Sequence, residues 1–152
     1  ISEVKLHSFK FINNRERFEA GTPDIGGWIG LGAALEFISK NFSFIESQEK
    51  MLIGKMMRIA EFPKVDYYGP RKAEEKAGVF AFNVGKLKHH EVAIMFDHLS
   101  KICLRSGHHC TMPLHRELLK VDGSVRASVH AYNTLEETEL FFDTLEKIAK
   151  LA

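Results

Sequence analysis

The sequence predicts an α/β protein of the α+β kind: a small, mainly antiparallel sheet with helices packed on one face. Three observations lead there. Stretches with helical spacing alternate with strand-like ones along the 152 residues. The strand-like runs are short, which suits a small sheet backed by a helical layer. A hydrophobic content of 45% against 27% charged residues is enough to bury a core.

Each element follows from local pattern. Residues 3–9 roughly alternate and read as a strand, followed by a charged, turn-prone stretch around Asn13, Asn14 and Arg15. The string Phe18-Glu19-Ala20-Gly21-Thr22-Pro23 is a loop, ending in a plausible N-cap at Asp24. Residues 26–41 have helical spacing, with Trp28, Ile29, Leu31, Ala34, Leu35 and Ile38 apolar. Gly30 and Gly32 each cost this helix about 1 kcal/mol relative to alanine, which makes sense where a helix packs against backbone or ligand. A second helix is expected over residues 47–60, with Leu52, Met56 and Ile59 on one face and Pro63 stopping it.

Further strands are expected at residues 65–68 and 79–84, the latter being the clearest in the chain. A charged connection over residues 71–76 separates them. Residues 89–99 read as a helix with Val92, Ala93, Phe96 and Leu99 inward. A short strand over 101–105 leads into the loop 106–113, and a brief helix over 114–119 ends before the turn Asp122-Gly123. Residues 124–132 read as a strand with Val125, Ala127 and Val129 on one face. Thr134 with Glu137 three residues on is a capping box for a last helix that buries Phe141, Phe142, Leu145 and Ile148.

Composition excludes several classes. Lys+Arg 21 against Asp+Glu 20 leaves +1, too little for a nucleic-acid binder driven by bulk charge. No apolar run approaches the roughly 20 residues a membrane-spanning helix needs, so no membrane partner is expected. The start, Ile1-Ser2-Glu3-Val4, has no signal pattern and no initiator Met, which suggests a piece of a longer chain. With only Cys103 and Cys110 there is no disulfide framework, and a reducing cytoplasm is the expected compartment.

Chemistry concentrates in Arg105-Ser106-Gly107-His108-His109-Cys110. A loop thiol beside histidine and arginine is where a nucleophilic thiolate forms, because nearby positive charge favours the anion. A zinc site from His108, His109, Cys110 and His115 is an alternative, as is a purely structural loop. Cys103, between Ile102 and Leu104, reads as core. His89 and His90 read as solvated helix-start residues. Gly21-Thr22 before a helix can offer a hydroxyl and backbone N–H groups to a phosphate, although such turns are also plain helix starts. Arg126, in a strand of small residues, is either a bidentate carboxylate clamp or a surface arginine on an edge strand.

Taken together, these strings resemble the C-terminal part of group II cysteine desulfurases and selenocysteine lyases. Those are pyridoxal phosphate (PLP) enzymes of the class V aminotransferase family with fold type I. The resemblance rests on Arg17-Phe18-Glu19-Ala20-Gly21-Thr22-Pro23, Ile29-Gly30-Leu31-Gly32-Ala33-Ala34, Arg105-x-Gly107-His108-His109-Cys110, Arg126-Ala127-Ser128 and Tyr132-Asn133-Thr134-x-Glu136-Glu137, in that order. It spans nearly the whole chain and is weakest over residues 43–78. The Gly-His-His-Cys loop is its specific part.

The resemblance implies that residues 1–23 end the PLP-binding large domain and that 24–152 form the small domain. It makes Cys110 the nucleophile that takes sulfur (or selenium) from L-cysteine or L-selenocysteine, leaving alanine and a persulfide for a sulfur-acceptor protein, as in iron–sulfur cluster assembly. Arg126 and Arg105 become substrate-binding residues, and His108 and His109 shape the loop. Gly21 and Thr22 become phosphate ligands for the PLP of the other subunit, so a homodimer is implied. No metal is implied. The family's Schiff-base lysine, in a Ser-x-His-Lys string, has no match here, so most of the PLP site would lie upstream and this stretch alone would be inactive. Two other readings remain: a class V relative with another amino-acid substrate, and a PLP-independent thiol carrier.

Overall fold

The computed structural model describes residues 1–19 and 21–152; Ala20, in the expected phosphate loop, lies outside the described residues. The chain divides into two compact units, Ile1–Asn41 and Phe42–Ala152.

The first unit opens with a hairpin rather than one strand. Strand β1 (Glu3–Lys5) pairs antiparallel with β2 (Ser8–Lys10), Val4 facing Phe9. The two-residue connection at Leu6-His7 lets the chain pair with itself, and Leu6 is fully outside. A 3-10 turn, Arg15–Phe18, is capped by Asn14, whose side chain accepts from the Glu16 N–H. Helix α1 (Ile25–Met56) starts at Asp24, as expected: its Oδ1 accepts the Gly27 N–H at 2.9 Å.

Helix α1 is one continuous element where two were expected. No proline or glycine lies between Leu35 and Ile53, and the polar residues in the supposed gap bond back to their own helix. Asn41 Nδ2 donates to the Phe37 carbonyl and Ser47 Oγ to the Phe44 carbonyl. Trp28, Leu31, Leu35, Ile38 and Phe42 recur at intervals of three and four residues, and all are exposed. Among the described residues, outside the local helix backbone and the chain neighbours, no atom comes within 4 Å of where a Cβ would stand on Gly30 or Gly32, so no close packing there explains them.

The second unit holds the core. Strands β3 (Val65–Tyr68), β4 (Val79–Val84), β5 (Arg105–Gly107) and β6 (Ser124–Ser128) form an antiparallel sheet in the order β3-β4-β6-β5. Alternation puts Phe80, Phe82 and Val84 of β4 and Val125 and Ala127 of β6 on one buried face. Against them pack Val92 and Phe96 of α2 (His89–Ser100), Phe141, Phe142, Leu145 and Ile148 of α3 (Leu135–Ala149), and Ile53, Met56 and Ile59. Leu52, Met56 and Ile59 are buried together as their spacing predicts, although Ile59 sits in a 3-10 turn, Met57–Glu61, beyond α1. The helical layer therefore covers one sheet face, as the sequence leads one to expect.

Four local expectations shift. In α2, Leu99 is 53% exposed and Met95 packs inward in its place. Lys101 closes α2 in a left-handed conformation (φ 58°), so the strand expected over 101–105 begins only at Arg105. Ile102 and Leu104 turn towards the core, and that alternation leaves Cys103 exposed rather than buried. The strand expected to reach residue 132 stops at Ser128, because residues 130–133 turn on the Asn133 N–H to His130 carbonyl bond. Among the described residues no helix is long and apolar enough to cross a membrane.

Candidate functional site

Strand β6 lies between β4 and β5, so Arg126 is on an interior strand, not an edge. It faces away from Phe80 and Val125, on the sheet side opposite the helices, and is half-buried. Its register partner on β5 is Arg105. Side chains directly opposite on antiparallel strands share a face, so the two arginine side chains leave the sheet on the same side, and like charges directly opposite are destabilising unless something neutralises them. Among the described residues neither arginine forms an ion pair with a carboxylate, and the Nε of Arg126 is buried without a hydrogen-bond partner.

The loop that follows β5 carries the thiol. Gly107 has φ 121°, a backbone only glycine adopts easily. His109 (φ 50°) and Cys110 (φ 62°) are then both left-handed, an uncommon conformation for residues with side chains. The turn is tied by the Thr111 N–H to the His108 carbonyl at 2.8 Å and by the Thr111 hydroxyl to the same carbonyl at 2.7 Å. Cys110 is exposed at its apex. The His109 ring folds back, and its Nε2–H donates to the Ser124 carbonyl at 3.1 Å. Burial holds the His109 pKa below its ordinary value; the Ser124 carbonyl opposes this, and the charges of Arg126 and Arg105 add to it. Cys110 is thus next in sequence to a histidine that senses both arginines.

His108 is half-buried with its Nε2 3.9 Å from Asp122 Oδ1, too far for a hydrogen bond. His115, weighed at first only as a metal ligand, is 3% exposed and lies between Thr111 and Ser124. Among the described residues no group of three or more His, Cys, Asp or Glu side chains is arranged to hold a metal ion.

Two features had no signal strong enough to find them in the sequence. His89 and His90 are not merely solvated: His89 Nε2–H donates to the Asp122 carbonyl at 3.2 Å, and His90 Nδ1 meets Ser106 Oγ at 2.6 Å. They fasten the start of α2 to β5, where the thiol loop begins, and to the turn that precedes β6. Ser124 is fully buried and bonds His109 through its carbonyl and His115 through its hydroxyl, which only the fold reveals. Gly21 and Thr22 lie in the first unit: Gly21 has φ 76° with nothing within 4 Å of a would-be Cβ, and Thr22 is exposed.

Comparison with known proteins gives the family and the fold. A probable cysteine desulfurase of Pyrococcus abyssi is 45% identical over 99% of this chain and 37% of its own length. The apo structure of a cysteine desulfurase from Thermococcus onnurineus superposes with a TM-score of 0.87 at 42% identity, covering 100% of this chain and 38% of that one. A cysteine desulfurase of Escherichia coli gives a TM-score of 0.80 at 28% identity, covering 98% of this chain and 36% of that one. The chain thus spans little more than a third of the length of these relatives. The aminotransferase class-V family model matches residues 1–141. The chain belongs to the class-V aminotransferase family.

Proposed function

We propose that this chain is the C-terminal part of a PLP-dependent cysteine desulfurase, with residues 1–23 ending its large domain and residues 24–152 forming its small domain. The observation that carries the reading is an exposed Cys110 on a strained turn directly after the strand of Arg105, itself paired with Arg126, two arginines that lack a carboxylate partner among the described residues. A small substrate with one carboxylate and one sulfur suits that pair of features. Relatives named cysteine desulfurase support it, as does the exposed apolar stripe of α1, which suits a face covered by further protein.

In this reading Arg126 clamps the carboxylate of L-cysteine or L-selenocysteine, with Arg105 beside it. The sulfur of Cys110 forms a bond to the substrate sulfur as the substrate's carbon–sulfur bond breaks. That bond's electron pair stays with the substrate carbon, which gains a proton, so the products are alanine and a persulfide on Cys110. A sulfur-acceptor protein then takes the outer sulfur. His108 and His109 shape the turn. PLP supplies the electron sink that makes the carbon–sulfur bond labile. What this chain offers PLP is one edge, a phosphate seat at Gly21 and Thr22 serving the partner subunit of a homodimer; the open side of Gly21 and the exposed Thr22 fit such a group. The compartment we assign is the cytoplasm, with iron–sulfur cluster assembly as the use of the sulfur.

The test uses the full-length protein with PLP and L-cysteine. Cys110→Ser is expected to abolish alanine and sulfide formation with PLP still bound by absorbance, because the hydroxyl is a far poorer nucleophile. Arg126→Ala is expected to raise the KM for cysteine at least tenfold, since a charge-assisted hydrogen bond contributes on the order of 1.5–3 kcal/mol. Undiminished sulfide release by the Cys110→Ser variant would sink the reading. Transamination of other amino acids that does not depend on Cys110 would favour a class V relative with a different substrate.

A further inference from the structure

We propose that His115 is a positioning residue that fixes the Cys110 turn against the strand carrying Arg126; this rests on the reading of Cys110 given above. His115 belongs to a π-helical turn, Leu114–Leu119, that leaves the thiol loop and points back beneath it. The ring is 3% exposed, and a buried imidazole must find partners for both nitrogens. It finds two, on opposite sides. Nδ1 lies 3.1 Å from the Thr111 carbonyl, and Nε2 lies 3.0 Å from Ser124 Oγ. A carbonyl can only accept, so Nδ1 carries the hydrogen and Nε2 accepts from the serine hydroxyl.

The consequence is a strut. Thr111 is the residue after Cys110, and its carbonyl also receives the His115 N–H at 3.2 Å. Ser124 is fully buried in β6, two residues before Arg126. One imidazole therefore joins the turn that presents the sulfur to the strand that presents the guanidinium. His109 makes a second tie to the same residue, donating to the Ser124 carbonyl, so the turn is held to one point on β6 from both sides of Cys110. The turn needs this. Two consecutive left-handed residues persist only where the surroundings over-determine them. The rings of His108 and His109 stand 5.9 and 5.8 Å from that of His115, which makes it the centre of the packing under the turn. Nothing in this arrangement lets His115 reach substrate. It acts through Cys110.

Sulfur transfer requires the thiol to meet a substrate already clamped at its carboxylate, and a misplacement of about 1 Å can cost on the order of a hundredfold in rate. The test compares four single variants and one double variant of the full-length protein loaded with PLP. His115→Phe fills the space but removes both bonds, and His115→Asn keeps a donor where Nδ1 stands. Ser124→Ala removes the far end of the strut while sparing the carbonyl that holds His109, and Cys110→Ser is the reference. With His115→Phe, kcat for alanine formation is expected to fall about ten- to a hundredfold. The KM for cysteine is expected to stay within about twofold, because the clamp is untouched. His115→Asn is expected to restore most of kcat, and Ser124→Ala combined with His115→Phe to add little to His115→Phe alone. Unchanged kcat in His115→Phe would overturn the proposal. So would a joint loss of kcat, cysteine affinity and PLP content that His115→Asn does not rescue. Should His115→Phe fail to fold, Ser124→Ala and His115→Asn carry the same comparison of kcat with KM. An active Cys110→Ser variant would bring down both readings, whereas an inactive one beside a normal His115→Phe would bring down the strut alone.

Discussion

Arg126 and His109 show how one charged pair conditions its neighbours. Placing two guanidinium groups opposite each other costs stability, and the cost falls on any nearby group that might also become positive. His109 is such a group: burial first, then the arginine charges, hold its pKa down against the pull of the Ser124 carbonyl. His89 behaves alike: burial first, then the neighbouring His90, hold its pKa below the ordinary 6.5, against the pull of the Asp122 carbonyl and carboxylate. In the unfolded chain both rings take up protons near pH 6.5, while the folded ones resist. Their stabilising contribution is therefore complete above pH 6.5 and is lost as the pH falls below it. Urea midpoints should drop between pH 7.5 and 5.5, a range in which the lowered carboxylates Glu136, Glu137 and Glu146 are ionised in either state. Replacing both histidines with asparagine should flatten that limb. A midpoint that falls just as steeply in the double variant would show that other groups cause it.

The helix that closes the core is the element whose local sequence says most. Thr134 Oγ1 accepts the Glu137 N–H at 3.2 Å, and Glu137 Oε2 accepts the Thr134 N–H at 3.1 Å. Glu137 also takes a hydrogen bond from Asn133, which holds its pKa below the ordinary carboxylate value and so keeps the box closed at neutral pH. Because α3 presents Phe141, Phe142, Leu145 and Ile148 to the sheet, fraying at its start loosens the core directly. Thr134→Ala should cost about 1 kcal/mol, or roughly 2–4 °C in melting temperature, and Thr134→Ser should recover most of it. Equal melting of the wild type and Thr134→Ala would mean that tertiary packing alone sets the helix start. This box, and strands β3 and β4, could be read from the chain because their signals are local: a side chain three residues from its target, or strict alternation between two turns. The continuity of α1 was hidden by Asn41 and Ser47, which look like helix breaks until their bonds within the helix are seen. Cys103 misled in another way. Three apolar neighbours do not say which of them faces inward, and the left-handed Lys101 decides it. Arg105, Arg126 and Cys110 stood out as residue types, but His115 and Ser124 are joined only by folding, nine positions apart.

The two compact units carry different parts of the proposed chemistry, Gly21 and Thr22 in the first and Cys110 and Arg126 in the second. That division gives the homodimer proposal a test that needs no structure. If Thr22 holds the phosphate of its partner's PLP, each working site needs Cys110 from one subunit and Thr22 from the other. Thr22→Ala should then loosen PLP, so the homodimeric variant can be made inactive by limiting the cofactor, while Cys110→Ser is inactive at any cofactor level. Mixing the two full-length variants under dissociating conditions and reassembling them produces heterodimers. In each heterodimer one site receives both defects and the other receives neither, so one site of the two regains sulfur transfer. Activity should appear in the mixture although both parents lack it, and it should track the heterodimer fraction. If instead Thr22 serves its own subunit, every site keeps one defect and the mixture stays as inactive as its parents. Recovery would thus support two claims together, that Thr22 acts across the interface and that Cys110 acts within its own subunit's site; its absence, with heterodimers shown to form, would remove the shared phosphate seat while leaving Cys110 to be judged by its own substitution.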